Sequence, residues 1–174
     1  MEKMQKDKHN FEKVLARMAL VERKAENDLS SEFLECLSSK EAEDCLSYLS
    51  SESQRHYDKL LESVDNLPAA VDKYRGKFEK VEELYTEYTD TSGTEDLCEI
   101  LRDQLTVEIY AKSQYKSLLD MLSHYEGEEV LEDGEISFEV GELKETVREI
   151  EREEEEHITK VQEALDALKP SLDS

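Results

Sequence analysis

The chain has 174 residues, 45 acidic against 22 basic, and a formal net charge of −23. That length fits one domain with a single core, and that charge argues against nucleic acid and anionic lipid surfaces, which need a basic footprint. Mean hydropathy is −0.75 and no run of about 18 apolar residues exists, so no membrane-spanning helix is expected; the opening MEKMQKDKHNFEK lacks an apolar leader, and the expected location is the cytoplasm.

Five Gly and two Pro, with abundant Glu, Lys, Leu and Ser, describe a mostly helical chain with few turns. A first helix is expected from about residue 10 to 36. Ser38, with Glu41 three positions on, reads as a capping box that opens a second helix over about 39–66. The short joint makes these two an antiparallel hairpin. Pro68 opens an amphipathic segment over about 69–89, with Val71, Tyr74, Phe78, Val81, Leu84 and Tyr88 at helical spacing; it ends at the turn-like stretch around Gly93. A third helix spans about 95–125. An acidic, Gly-containing loop over about 126–142 carries a short extended piece at Ile136–Val140. A fourth helix fills about 143–168, and Pro170 is expected to stop it.

The run from Glu126 to Glu156 holds 15 acidic and three basic residues, and for most of them a solvated face is the reading. Cys36, Cys45 and Cys98 are odd in number and form no CxxC pair. They read as small core residues or reduced thiols.

Four of the helices carry polar residues where the spacing calls for apolar ones. Val147, Ile150, Ile158, Val161, Leu165 and Leu168 form a stripe interrupted by Glu154 and His157. Leu15, Met18, Ala25 and Leu29 form a stripe interrupted by Glu22. Leu46, Leu49, Leu60 and Val64 are interrupted by Ser53 and His56. Leu101, Leu105, Ala111, Tyr115 and Leu119 are interrupted by Glu108. A buried carboxylate needs protons, cations or metal beside it, so four helices offering such groups to one core point to a metal site. There is also an internal repeat: Glu22-x-x-Ala25-x-x-x-Leu29 matches Glu108-x-x-Ala111-x-x-x-Tyr115, and each is followed by a helix carrying His with Ser or Glu three residues before it.

With these residues in place, the chain resembles the ferritin-like superfamily, and within it the rubrerythrin-type domain. The resemblance implies an all-α, ferritin-like four-helix bundle with a long helical crossover between the second and third helices. That family holds two iron ions with a Glu from each of helices 1 and 3 and a Glu-x-x-His from each of helices 2 and 4. Glu22 and Glu108 match the lone-Glu positions, Glu154 and His157 form a complete Glu-x-x-His, and His56 matches the remaining histidine. Ser53 stands where the sixth ligand, a carboxylate, is expected.

A serine hydroxyl is a poor iron ligand beside carboxylate and imidazole. Three routes stay open: Glu52 swings in through a local rotation or π-bulge of its helix; water or another carboxylate fills the gap, Glu26 being one turn from Glu22; or the site holds one metal or none. Tyr115 is a candidate to hydrogen-bond a ligand carboxylate. The resemblance implies iron, with manganese or zinc as alternatives, and redox chemistry with peroxide or dioxygen, or ferroxidase activity. Since the rubredoxin module's CxxC pairs are missing, it also implies an external electron donor, or iron itself as the donor, and a homodimer by analogy. The alternatives are iron handling without turnover and a metal-free bundle serving as an interaction module.

Overall fold

The computed structural model describes residues 11–23, 39–78, 81 and 94–173. They form helix α1 (residues 11–23), α2 (Lys40–Ser63), α3 (Leu67–Tyr74), α4 (Thr94–Leu122), strands β1 (Val130–Asp133) and β2 (Ile136–Glu139), and α5 (Val140–Asp173). The protein is mostly helical, with one small two-stranded sheet. Among the described residues, no helix is long and apolar enough to cross a membrane.

Local chemistry accounts for the boundaries. Ser39, in an extended conformation, caps α2 by accepting the amide N–H of Ala42 at 3.3 Å. The cap is therefore one residue beyond Ser38, which lies outside the described residues. Pro68 sits at the start of α3, where its missing N–H costs nothing. That helix ends at Tyr74, before Gly76 takes a φ of +74°. The expected continuous helix over 69–89 is therefore broken at 75–76, and residues 82–93 lie outside the described ones. The extended piece expected at Ile136–Val140 is β2, and its partner is β1, antiparallel in the register Val130↔Glu139 to Asp133↔Ile136. A backbone bridge from Asp65 to Ser137 ties this hairpin to the end of α2. Pro170 does not stop the last helix, which runs on to Asp173. So near the terminus, proline forfeits one intrahelical bond to a helix held by everything before it.

Two apolar clusters make the core. One joins α1 (Phe11, Leu15, Met18, Val21) to the later half of α2 (Tyr57, Leu60), the later half of α4 (Ala111, Tyr115, Leu118) and the early half of α5 (Leu143, Val147, Ile150). The other joins the early half of α2 (Leu46, Leu49), the early half of α4 (Leu97, Leu101) and the later half of α5 (Val161, Leu168). Chain direction follows: α2 and α4 pass from the second cluster to the first, whereas α5 passes the other way. The buried residues between the two clusters are Ser53 and His56 on α2, Gln104 on α4 and Glu154 and His157 on α5, with Glu108 on α4 and Glu22 on α1 at the same level. A polar layer thus lies between the two apolar clusters.

Candidate metal centre

Each acidic or histidine residue of this layer is there because its helix buries that stripe. Exposure is 4% for Glu22, 4% for Glu108, 1% for Glu154, 0% for His56 and 2% for His157, and Ser53 is buried beside them at 4%. Burial of an unpartnered carboxylate or imidazole is unfavourable by several kcal/mol in order of magnitude, so the arrangement of their lone pairs decides what the layer is for.

Glu154 lies at the middle. Its Oε1 is 3.1 Å from His56 Nδ1 and its Oε2 is 3.4 Å from His157 Nδ1. Glu22 Oε1 approaches the same His56 nitrogen at 3.6 Å, and Glu108 Oε2 the same His157 nitrogen at 3.3 Å. The result is two trios that share one carboxylate: Glu22, His56 and Oε1 of Glu154 in one, Glu108, His157 and Oε2 of Glu154 in the other. The imidazole rings stack, with centroids 5.1 Å apart and planes 18° apart. Tyr115, fully buried, donates its hydroxyl to Glu22 Oε1 at 3.0 Å and so holds that carboxylate in place.

Burial, then the negative charges of Glu108 and Glu22, push Glu154 well above the ordinary carboxylate range. Burial acts the same way on Glu108, but hydrogen bonding from Glu154 and His157 outweighs it and leaves Glu108 lowered. Burial alone would lower His157; its hydrogen bond to Glu108 and the surrounding carboxylates raise it instead. Protons therefore do part of the work of a cation here.

The donor set fits a divalent cation. Two ligand atoms each about 2.1 Å from one ion are about 3.0 Å apart at a right angle and about 3.4 Å apart at the tetrahedral angle. The distances of 3.1, 3.3 and 3.4 Å fall within that spacing, and the 3.6 Å from Glu22 to His56 lies just beyond it. Both ring nitrogens of His56, Nε2 of His157 and Oε2 of Glu154 are buried without a hydrogen-bond partner. Ligand atoms of His56, Glu154 and His157 all fall within 4.8 Å of one another. Imidazole with carboxylate suits iron, manganese or zinc. Thiolate is not part of the set: burial and the charge of Glu108 push the Cys45 thiol up to about 11, and Cys45 and Cys98 are both buried and unbridged.

Glu52 lies one residue off the stripe of α2, which is a continuous α-helix there. Its carboxylate comes within 3.6 Å of His157 Nε2 with no bulge in the helix, while Arg55 grips it in a fork at 2.6 and 3.1 Å. Glu26 lies outside the described residues. Sequence reasoning passed over Glu153, whose Oε1 is 3.8 Å from His56 Nε2, and Arg55, which pairs with Glu153 as well as with Glu52. A signal was present: Glu52 precedes His56 by four residues, and Glu153 precedes His157 by four. Gln104 also went unremarked; it is buried one turn before Glu108, with both amide atoms unpartnered. The chain matches no known protein-family model, no curated protein and no solved structure.

Proposed function

We propose that this chain is a ferritin-like four-helix bundle that binds divalent cations, iron first among them, in its polar layer, with capacity for two. The observation that carries this reading is the pair of trios around Glu154, each presenting one imidazole Nδ1, one terminal carboxylate and one oxygen of the shared carboxylate. The run of the helices supports the bundle: α2 and α4 share one direction, which calls for a connection along the length of the molecule, as in ferritin-like crossovers.

In this reading Glu22, Glu108 and Glu154 supply three negative charges, His56 and His157 set the spacing, and Tyr115 keeps Glu22 from rotating away. Glu154 releases its proton as a cation arrives, so uptake is accompanied by acid release and weakens as pH falls. Ser53 leaves the layer one carboxylate short of the four that would neutralise two divalent ions. A bound iron pair would supply electrons for the reduction of peroxide or dioxygen, with an external donor to renew them.

Elemental analysis of protein purified without chelator, followed by ferrous titration with a pH-stat, tests the binding. The expected result is one to two metal ions per chain and proton release that disappears in Glu154→Gln. No bound metal and no proton release would overturn it in favour of a metal-free interaction module. Reoxidation of the ferrous protein by peroxide, compared with storage of unreacted ferrous ion, separates redox turnover from iron handling.

A further inference from the structure

Helix α4 buries Leu97, Leu101, Gln104, Glu108, Ala111 and Tyr115, three or four residues apart and each no more than 4% exposed. Leu105, beside Gln104 in the chain, is only partly buried, so the amide rather than the leucine holds the inward position. Gln104 is 1% exposed, and neither its Nε2 nor its Oε1 has a hydrogen-bond partner among the described residues. Burying both halves of an amide unanswered is strongly unfavourable. Glu108 stands one turn along the same face, which places the two side chains about 5–6 Å apart at Cβ. In the other direction the core is apolar, with Leu49 on α2, Leu101 on α4 and Val161 on α5. A carboxamide with an unused donor and an unused acceptor therefore stands at the edge of the polar layer, between a carboxylate and hydrocarbon.

We propose that Gln104 determines oxidant specificity: its amide binds a small hydroxylic molecule beside Glu108 and prefers hydrogen peroxide to dioxygen. This rests on the metal-binding reading above and names the oxidant that the layer is built to meet. The amide has Nε2–H to donate and Oε1 to accept. Hydrogen peroxide and water each carry O–H to give and lone pairs to receive, so either answers both halves at once. Dioxygen has no hydrogen to donate and leaves Oε1 unanswered. A site that hydrogen-bonds an O–H rejects an analogue without one far more strongly than an apolar pocket can, because its own polar atoms are then left unpaired. Leucine at this position would treat the two oxidants alike. The reaction served is balanced: peroxide takes one electron from each of two ferrous ions and two protons, its O–O bond breaks, and two waters result. Gln104 gains and loses no proton, so it acts by binding and orientation alone.

The side-chain amide signal of Gln104, identified by its loss in Gln104→Leu, is followed by NMR in zinc-loaded protein, where the cation cannot be oxidised. Hydrogen peroxide should shift it saturably, removal of peroxide by catalase should restore it, and oxygen-saturated buffer should leave its position unchanged. Stopped-flow reoxidation of the ferrous protein supplies the second readout. Gln104→Leu should slow the reaction with peroxide about tenfold, the loss expected for one or two hydrogen bonds. The reaction with dioxygen should change by less than about twofold. Zinc affinity of the variant, from chelator competition, should stay within about threefold of the unaltered chain, as for a residue that is no ligand. An amide signal that ignores peroxide, or equal slowing with both oxidants, would overturn the proposal. A larger fall in zinc affinity would overturn it too, and would assign Gln104 to holding Glu108. If the chain binds neither zinc nor iron, yet peroxide shifts the signal of the metal-free protein, the hydroxylic site stands and the metal reading falls. If iron binds and is reoxidised, but the signal ignores peroxide and neither rate depends on Gln104, the site falls and the metal reading stands.

Discussion

Helix α1 carries two buried glutamates with opposite fates. Glu12 is 3% exposed and Glu22 is 4% exposed, yet only Glu12 is fully answered. Its Oε1 accepts from Lys73 Nζ at 2.6 Å and from Tyr74 hydroxyl at 3.3 Å, and its Oε2 accepts the backbone N–H of Glu135 at 2.5 Å. Its own N–H donates to Asp133 Oδ2 at 2.8 Å. Gly134, at a φ of +56°, brings the hairpin turn so close that a Cβ there would collide with the Glu12 carboxylate. Burial works to raise Glu12, but the Glu135 N–H, Lys73 and Tyr74 together hold it below its ordinary value. Around Glu22, Glu108 and Glu154 there are one tyrosine hydroxyl and the His157 Nδ1 contact to Glu108, while both ring nitrogens of His56, Nε2 of His157 and Oε2 of Glu154 are buried without a hydrogen-bond partner. A carboxylate whose lone pairs all find donors is an anchor. A group whose lone pairs converge on one another is a receptor for a cation.

Breaking the anchor should have the largest effect. Glu12→Ala leaves an ammonium, a hydroxyl and the backbone amide of Glu135 without their acceptor, and should destabilise the metal-free protein by about 2–3 kcal/mol in urea unfolding. Zinc affinity of the folded protein should stay within about twofold; a matching loss of affinity would show that the two regions are not independent.

Overfilling the receptor comes next. Ser53→Glu adds a fourth carboxylate to the polar layer, which should destabilise the metal-free protein by about 1–3 kcal/mol through desolvation and like-charge repulsion. The same variant should gain more stability than the unaltered chain on adding ferrous or manganous ion, and its metal stoichiometry should move towards two. Destabilisation with no rescue by either ion would count against the site.

Relaxing the receptor should have the opposite sign. Glu154 is raised in the folded state, so it penalises folding above the pKa it has in the unfolded chain, and the penalty vanishes below that value. Glu154→Gln should therefore stabilise the metal-free protein at pH 7, by about 1–2 kcal/mol, and by nothing near pH 4. Thermal melts across that range check it. Cation binding should be lost in the same variant.

The smallest effect belongs to the fork between Arg55 and Glu52. Burial pushes the Glu52 carboxyl up, but the Arg55 fork outweighs it and brings it down to about 2. A depressed carboxyl contributes stability that is present above its unfolded value and lost as pH falls through the folded one. The margin of the unaltered chain over Glu52→Gln should therefore shrink between about pH 4.5 and pH 2. A margin that is flat over that interval would mean the fork is too well solvated to matter.

Helical periodicity was enough to mark Glu22, His56, Glu108, Glu154 and His157, because each occupies a stripe position and stripe positions are buried by whatever the helix packs against. It also located the acid-rich connection before α5 and the extended stretch at Ile136. What periodicity lacks is any account of a residue beside the stripe. Glu52 and Glu153 are about 100° round their helices from the stripe positions next to them, and only the approach of α2 to α5 turns their carboxylates inward. Arg55 has meaning only once both are near it. Glu12 reads as one more acidic residue until the hairpin turn and α3 close around it. The same limit explains the ends of the elements: Ser39 rather than Ser38 caps α2, and α5 continues through Pro170, because one hydrogen bond is small beside the packing of a long helix. From sequence came the stripe of each helix and the chemistry written on it. Which lone pairs find donors and which are left facing one another depends on distances between helices, and those the tertiary structure alone decides.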